Sequence, residues 1–490
     1  MNFLFKKPIG STHVLAGICL LFITIAQTGC SNKLNINPSW RSIVAVQTPF
    51  SHSHTDPHKQ LIVFRAPANQ DTAFDNWLAN IKSTYGPVVI HYLCASCDSS
   101  LMLLDGTGVE LYIQTGTAQG GSGSGGGLQP GGSDSGIYYC PNFDVQIPET
   151  DTSQVAVKEA QPKPKPHTGS TLVAVFDTGL DPVLRDYVVN SSGAQATCLG
   201  PAAASGWNFI TPSNLTNDDH LGHHGTTVTR FIIDQVEGGK VPADPGGVSI
   251  LPVKVFTATG TGDLFQVLCA MVYAQQRGAK IINASFGFYA KRDNRDPKRV
   301  DSAGLLFERV VYKYLTENHI LLMACAGNRN DATESMAFIP NPKVDSVWRN
   351  LDSVSFYPAS LSRSLPNVIA VTTLYPAGEN SGQVSPNQNY SPGVVYIGVH
   401  ADQRGSKTAP ANDNTDATFQ NPLDTRKAAD GSSFATPIAT GKICTIYPKM
   451  TGAVIDRSFV LTQLESFGLL KTHAGSLATS KVNQGASMIK

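Results

Sequence analysis

The chain carries no net charge, because its 37 Lys and Arg residues are matched by 37 Asp and Glu. That balance removes any global electrostatic case for a nucleic acid or an anionic surface as partner. The apolar run over 14–26 is too short to span a bilayer and fits the core of a signal peptide. No Gly-Lys-Ser/Thr follows the glycine-rich stretch 120–136, and no strand and helix frame it, so it reads as a flexible spacer rather than a phosphate loop. There is no second CxxC beside Cys94 and Cys97, which makes zinc a weak reading, and an odd total of nine cysteines argues against a complete disulfide framework. Cys140 lies near that pair in sequence, whereas Cys269, Cys325 and Cys444 sit in apolar runs and read as small buried hydrophobes. His52, His54 and His58 read as solvated loop residues, and no acidic spacing identifies a calcium site.

What is present begins with a leader. Lys6 and Lys7 precede the apolar run, which ends in Thr28-Gly29-Cys30-Ser31-Asn32. A small residue followed by cysteine at this point resembles a bacterial lipobox, with Gln27 as a departure from the usual pattern. Cys30 would then be the lipidated first residue of the mature protein. The expectation is export to the bacterial cell envelope with a lipid anchor on the membrane, or otherwise a periplasmic or secreted protein.

At 490 residues two or more domains are the default. After the leader, 1–30, a small α+β domain is expected over 31–116. It consists of a strand at 61–64, a helix at 72–85 with Phe74, Trp77, Leu78 and Ile81 on one face, a strand at 88–93, and a hairpin of 101–104 with 109–113 around Asp105-Gly106. A linker over 117–168 includes the alternating Pro and Lys of 162–166. Short β-branched or apolar runs at 171–176, 248–256, 280–284, 320–324 and 368–372 then alternate with helical spacing at 263–277 and 302–317. The implied fold class is α/β, a parallel sheet flanked by helices on both faces, over 169–450. A C-terminal helical extension, 451–490, carries one more run at 459–470. In such sheets functional groups gather at the carboxyl ends of strands.

Three residues fit that rule. Asp177 follows the first buried strand directly, His224 opens a plausible helix, and Ser433 stands in Gly431-Ser432-Ser433-Phe434-Ala435-Thr436-Pro437 at the start of another. A serine at a helix start lies beside unpaired N–H groups and the positive end of the helix dipole, where a developing oxyanion can be held. Acyl transfer needs this trio: a hydroxyl, an imidazole to take its proton, and an acid to orient the imidazole.

The order Asp, His, Ser is that of subtilisin. The domain resembles the subtilisin-like serine proteases (subtilases) at five separated places: Asp177-Thr178-Gly179, His224-Gly225-Thr226, Ile282 to Gly287, Ala326-Gly327-Asn328 and the serine stretch 431–437. The resemblance implies Ser433 as nucleophile, His224 as general base and then acid, Asp177 as its orienting carboxylate, and Asn328 with the Ser433 N–H as oxyanion donors. It also implies an extended polypeptide substrate between two rails, Gly260-Thr261-Gly262 and Ser285-Phe286-Gly287, with no cofactor required for the chemistry, although structural calcium is frequent in the family. Departures are His223 before the histidine, Thr229-Arg230 after it, Phe434 beside the nucleophile, and a polar insertion over 401–427. The strand and helix texture of 60–116 is that of subtilase propeptides. The expected activity is a serine endopeptidase. The alternatives are a catalytically silent peptide-binding or scaffold protein on the same fold, and a dedicated maturation protease for one partner protein.

Overall fold

A computed structural model describes residues 59–65, 71–91, 100–118, 136–147, 171–189, 198–238, 247–289, 302–328, 349–377, 383–385, 388–404, 417–450, 454–471, 482–483 and 486–489. Cys30 and the rest of the leader, His52, His54, His58, Cys94, Cys97, the glycine-rich stretch to residue 135 and the Pro/Lys run at 162–166 lie outside the described residues.

The N-terminal part opens with strand β1 (Leu61–Arg65), helix α1 (Asp71–Tyr85), β2 (Val89–His91), β3 (Leu101–Asp105), helix α2 (Thr107–Ala118) and β4 (Ile137–Pro141). The strands form one sheet in the order β2-β3-β1-β4, with every pairing antiparallel. Two expectations change here. The stretch 109–113 is helical, because Val109 and Ile113 are also four apart and bury one helix face while Leu111 stays exposed. The unit also does not end at 116, since Ile137-Tyr138-Tyr139-Cys140, an apolar run after the spacer, returns as the fourth strand against β1. A short strand, β5 (Asp144–Gln146), follows three residues later.

The larger sheet has eight strands. In chain order they are β6 (Thr171–Asp177), β7 (Trp207–Asn208), β8 (Val248–Lys254), β10 (Ile281–Ala284), β12 (Leu321–Cys325), β14 (Val368–Leu374), β15 (Val395–His400) and β19 (Ser487–Ile489). Smaller strands interleave: β9 (Thr261–Asp263), β11 (Phe288–Tyr289), β13 (Phe356–Tyr357), β16 (Gln403–Arg404), β17 (Ala417–Gln420) and β18 (Ala428–Asp430). The eight run in the order β19-β15-β14-β12-β10-β6-β8-β7, all parallel. Parallel strands are covered on both faces and so read as continuous apolar runs. Alternate residues feed two cores. Val173, Val175, Ile250, Ile281 and Met323 face helices α3 (His224–Glu237) and α6 (Ser432–Ile446). Ala174, Phe176, Val253, Ile282 and Leu322 face helices α4 (Leu264–Gln276) and α5 (Ser302–Val311).

The last segment is more than a helical extension. Helix α7 (Arg457–Ser466) is there, but β19 after it adds the edge strand of the main sheet. The polar insertion supplies β16 and β17, which pair with each other, and β17 pairs with β18 just ahead of the serine stretch. Cys140, Cys269, Cys325 and Cys444 are buried thiols, and Cys198 is disulfide-bonded.

Candidate active site

Asp177 is the last residue of β6, so its side chain stands at the carboxyl edge of the sheet. His224 opens α3 behind His223, which takes a left-handed conformation at φ 46 as the helix N-cap. That turn aims the imidazole back at the strand end. His224 Nδ1 lies 2.7 Å from Asp177 Oδ1, and both residues are 1% exposed. The Thr178 N–H donates to the same oxygen at 2.8 Å. A carboxylate on Nδ1 fixes the tautomer with the proton on Nδ1 and leaves Nε2 able to accept another. Among the described atoms His224 Nε2 has no hydrogen-bond partner, and neither has Ser433 Oγ. The His224 ring lies 5.1 Å from that of Phe434, the residue after Ser433.

Ser433 sits in the first turn of α6, where N–H groups lack an acceptor four residues back. Further along that helix Pro437 has no N–H to give the Ser433 carbonyl. The Ser285 hydroxyl donates to that carbonyl instead, at 2.7 Å, and itself accepts from Asn283 Nδ2 at 2.9 Å. Ser285 and Phe286 are fully buried. The Ser285 hydroxyl thus serves the nucleophile's backbone, and Gly287 of the same stretch pairs with Gln146 in an antiparallel bridge.

Asn328 follows β12. Its Oδ1 accepts from the Ser432 N–H and the Ser432 hydroxyl, each at 2.8 Å, and that hydroxyl accepts from the Gly327 N–H at 3.0 Å. With its oxygen so engaged, the amide presents Nδ2 as its donor end. Gly431 must be glycine for this, since its φ is +116 and a Cβ there would stand 2.2 Å from Asn328 Nδ2.

The rails hold a segment of the same chain. Strand β5 pairs antiparallel with β9, Val145 opposite Gly262 and Gln146 opposite Thr261. The Ile147 N–H donates to the Gly260 carbonyl at 3.0 Å, and the Gly287 N–H reaches the Gln146 carbonyl at 3.4 Å. All three Gly260-Thr261-Gly262 residues thus meet residues 145–147.

Sequence reasoning missed the supports. Buried Asp218 accepts from the Thr178 hydroxyl at 2.8 Å and from the Thr226 N–H and hydroxyl at 2.9 and 2.6 Å. Those two threonines belong to the aspartate and histidine stretches, so one carboxylate clamps both. Beside it, buried Lys254 pairs with Asp219 at 2.7 Å and donates to the Thr178 and Phe256 carbonyls. Gln388 Oε1 accepts from the Ser432 N–H at 2.6 Å. The only signal in the sequence was the Asp218-Asp219 pair just ahead of the histidines. Burial lowers the pKa of His220, helped by the charge of His224 nearby. His220 Nδ1 accepts from the Gly222 N–H at 3.2 Å. Burial pushes the Cys325 thiol up to about 12, which makes it packing rather than a nucleophile. Among the described residues no three His, Cys, Asp or Glu side chains converge on a metal position.

A family model described as the subtilase family matches residues 168–482. The cell wall-associated protease of Bacillus subtilis (strain 168) is 37% identical over 118 residues, which is 24% of this chain and 12% of that protein. The subtilisin-like protease 3 of Plasmodium falciparum (isolate 3D7) is 25% identical over 232 residues, 46% of this chain and 25% of that one. The chain thus spans a minor part of the length of the curated relatives it matches. Among solved structures, a lanthipeptide protease shares 21% identity at a TM-score of 0.40, over 60% of this chain and 79% of that one. The epidermin leader peptide processing serine protease of Staphylococcus aureus shares 15% at a TM-score of 0.47, over 88% and 96%.

Proposed function

The chain belongs to the subtilase family, and from that premise we propose that it is an exported serine endopeptidase. Ser433 Oγ attacks the carbonyl carbon of the peptide bond while its proton passes to His224 Nε2. Asp177 holds the imidazole and stabilises the imidazolium that forms. Asn328 Nδ2 and the Ser433 N–H receive the oxyanion. His224 then protonates the departing amine, and water, activated by the same imidazole, hydrolyses the acyl-enzyme. No cofactor enters these steps. The observation that carries the reading is the buried 2.7 Å contact of His224 Nδ1 with Asp177, beside an Nε2 and a Ser433 hydroxyl that are both unspent.

Export is supported by the leader and by the disulfide at Cys198, since such bonds persist in oxidising compartments. Cys30 is the proposed lipid anchor to the cell envelope; intact-mass analysis finding its first mature residue elsewhere and unmodified would refute this. The N-terminal unit is proposed to act as a propeptide that blocks the cleft. Support comes from β5, which already fills the edge of β9, and from the full burial of Ser433.

The test compares the purified protein with its Ser433→Ala form, using casein and a serine-directed fluorophosphonate. Casein cleavage and labelling are expected, and the variant should lose turnover on the order of 10⁶-fold, by analogy with triad knock-outs of subtilisin. If neither signal appears, including after removal of the N-terminal unit, the fold serves as a scaffold.

A further inference from the structure

The segment lodged between the rails carries side-chain information beyond its backbone pairing. Along residues 144–147 exposure alternates, with Asp144 and Gln146 outward and Val145 and Ile147 buried. Both buried side chains join the apolar cluster that contains Phe256, Leu264, Phe286 and Phe288. Ile147 lies directly on Gly260, where a Cβ would come within 2.5 Å of its Cγ1 and 2.8 Å of its Cδ1. Gly260 has φ +76, so the bare backbone there is a built feature that leaves room for a branched aliphatic chain. In an added strand the main chain gives affinity, and the pockets for alternate side chains give selectivity.

We infer that this cleft selects extended peptides bearing Val- or Ile-like side chains at two positions separated by one unrestricted residue, the positions held by Val145 and Ile147 in the protein's own chain. This rests on the proteolytic reading of the site and adds the chemistry of its substrates. The residue between, like Gln146, faces outward and is free to vary.

The test uses the full chain carrying Ser433→Ala, so that binding is read without turnover, together with Ile147→Asp, which breaks the grip of the internal strand. Fluorescence anisotropy with labelled Asn-Phe-Asp-Val-Gln-Ile should show saturable binding. Affinity should fall about tenfold or more when the Val or the Ile of the peptide becomes Ala, the loss expected from truncating a buried branched side chain. Replacing the Gln by Ala should change it less than about twofold. Equal affinity for all these peptides, or none for the parent, overturns the inference. Should the doubly substituted chain fail to fold, the wild-type full chain is given a peptide library of mixed composition. Enrichment of Val and Ile two residues apart at the cleaved sites supports the inference; cleavage without it overturns it, as does no cleavage once the N-terminal unit has been removed. Fluorophosphonate labelling of wild-type Ser433 separates the two failures. A labelled serine with no side-chain preference sinks the selectivity alone. Selective binding in a protein whose serine never labels sinks the catalytic reading and leaves a selective peptide-binding cleft.

Discussion

The two sheets of this protein solve the same burial problem with different partners. In the eight-stranded parallel sheet each strand sends alternate residues to helices of its own domain, α3 and α6 on one face, α4 and α5 on the other. In the four-stranded antiparallel sheet one face is left to α1 and α2, while Ile62, Phe64, Leu101, Leu103, Tyr138 and Cys140 of the other face merge with the core that contains α5. The first sheet is complete in itself. The second is completed by the domain it rests on, and apart from it would show a contiguous apolar face to water. The difference teaches where each substitution should register. Changes around the parallel sheet's carboxyl edge should appear in turnover or in the stability of the catalytic body. Changes on the antiparallel side should appear in docking.

The sharpest way to break that division is Asn328→Ala. Truncation removes the donor end together with the oxygen that accepts from Ser432, whose N–H keeps Gln388 Oε1 as an acceptor. Turnover should fall by about 10²–10³ in kcat, the cost found for the matching asparagine of subtilisin, while casein KM stays nearly constant. A kcat loss below about tenfold would mean that the oxyanion is held elsewhere. Next in size is Asp218→Ala. Four donors, the Thr178 hydroxyl, the Thr226 N–H and hydroxyl and the His220 N–H, lose their acceptor in a buried place. At roughly 1–3 kcal/mol for an unsatisfied group, the unfolding free energy should fall by on the order of 3 kcal/mol, seen as a lower denaturant midpoint at unchanged slope. Because Thr178 and Thr226 then lose their common clamp, activity should fall as well. An unmoved midpoint would show that the clamp does not support the site.

How much of this was legible follows from the same physics. The strands at 171–177, 248–254 and 321–325 were readable because burial on both faces writes unbroken apolar runs. Asp177, His224 and Ser433 could be singled out because acyl transfer restricts the residue types that stand at strand and helix ends, and Asn328 only through the resemblance of Ala326-Gly327-Asn328 to the subtilase pattern. Asp218 and Gln388 were not, since their side chains serve Thr178, Thr226 and Ser432 rather than the reacting groups, and an acceptor for a backbone N–H can be supplied by many residue types. Helix α2 was misread because Thr107 and Gly108 are poor helix formers and because Val109, Leu111 and Ile113 alternate as a strand would. Strand β5 left only a short trace, the alternation Phe143-Asp144-Val145-Gln146-Ile147, which went unread, and only the rails opposite reveal what it is for.

The smallest expected effect tests the docked side of the comparison. Arg309 of α5 sets its guanidinium 5.3 Å from the centre of the Tyr138 ring on β4, across the boundary between the two parts. Within the N-terminal unit itself, Arg65 of β1 stands 5.0 Å over Phe74 of α1 in the same manner. A cation over an aromatic face is worth about 0.5–1 kcal/mol at a partly exposed site. Arg309→Ala should therefore loosen docking by roughly two- to fivefold, seen as faster release of the N-terminal unit once the chain is nicked after residue 147, with kcat of the freed enzyme unchanged. Arg65→Ala should instead lower the stability of the N-terminal unit. If both variants speed release equally and neither alters that unit's own unfolding, the antiparallel sheet is not a separable body, and the distinction between a self-sufficient sheet and a completed one fails.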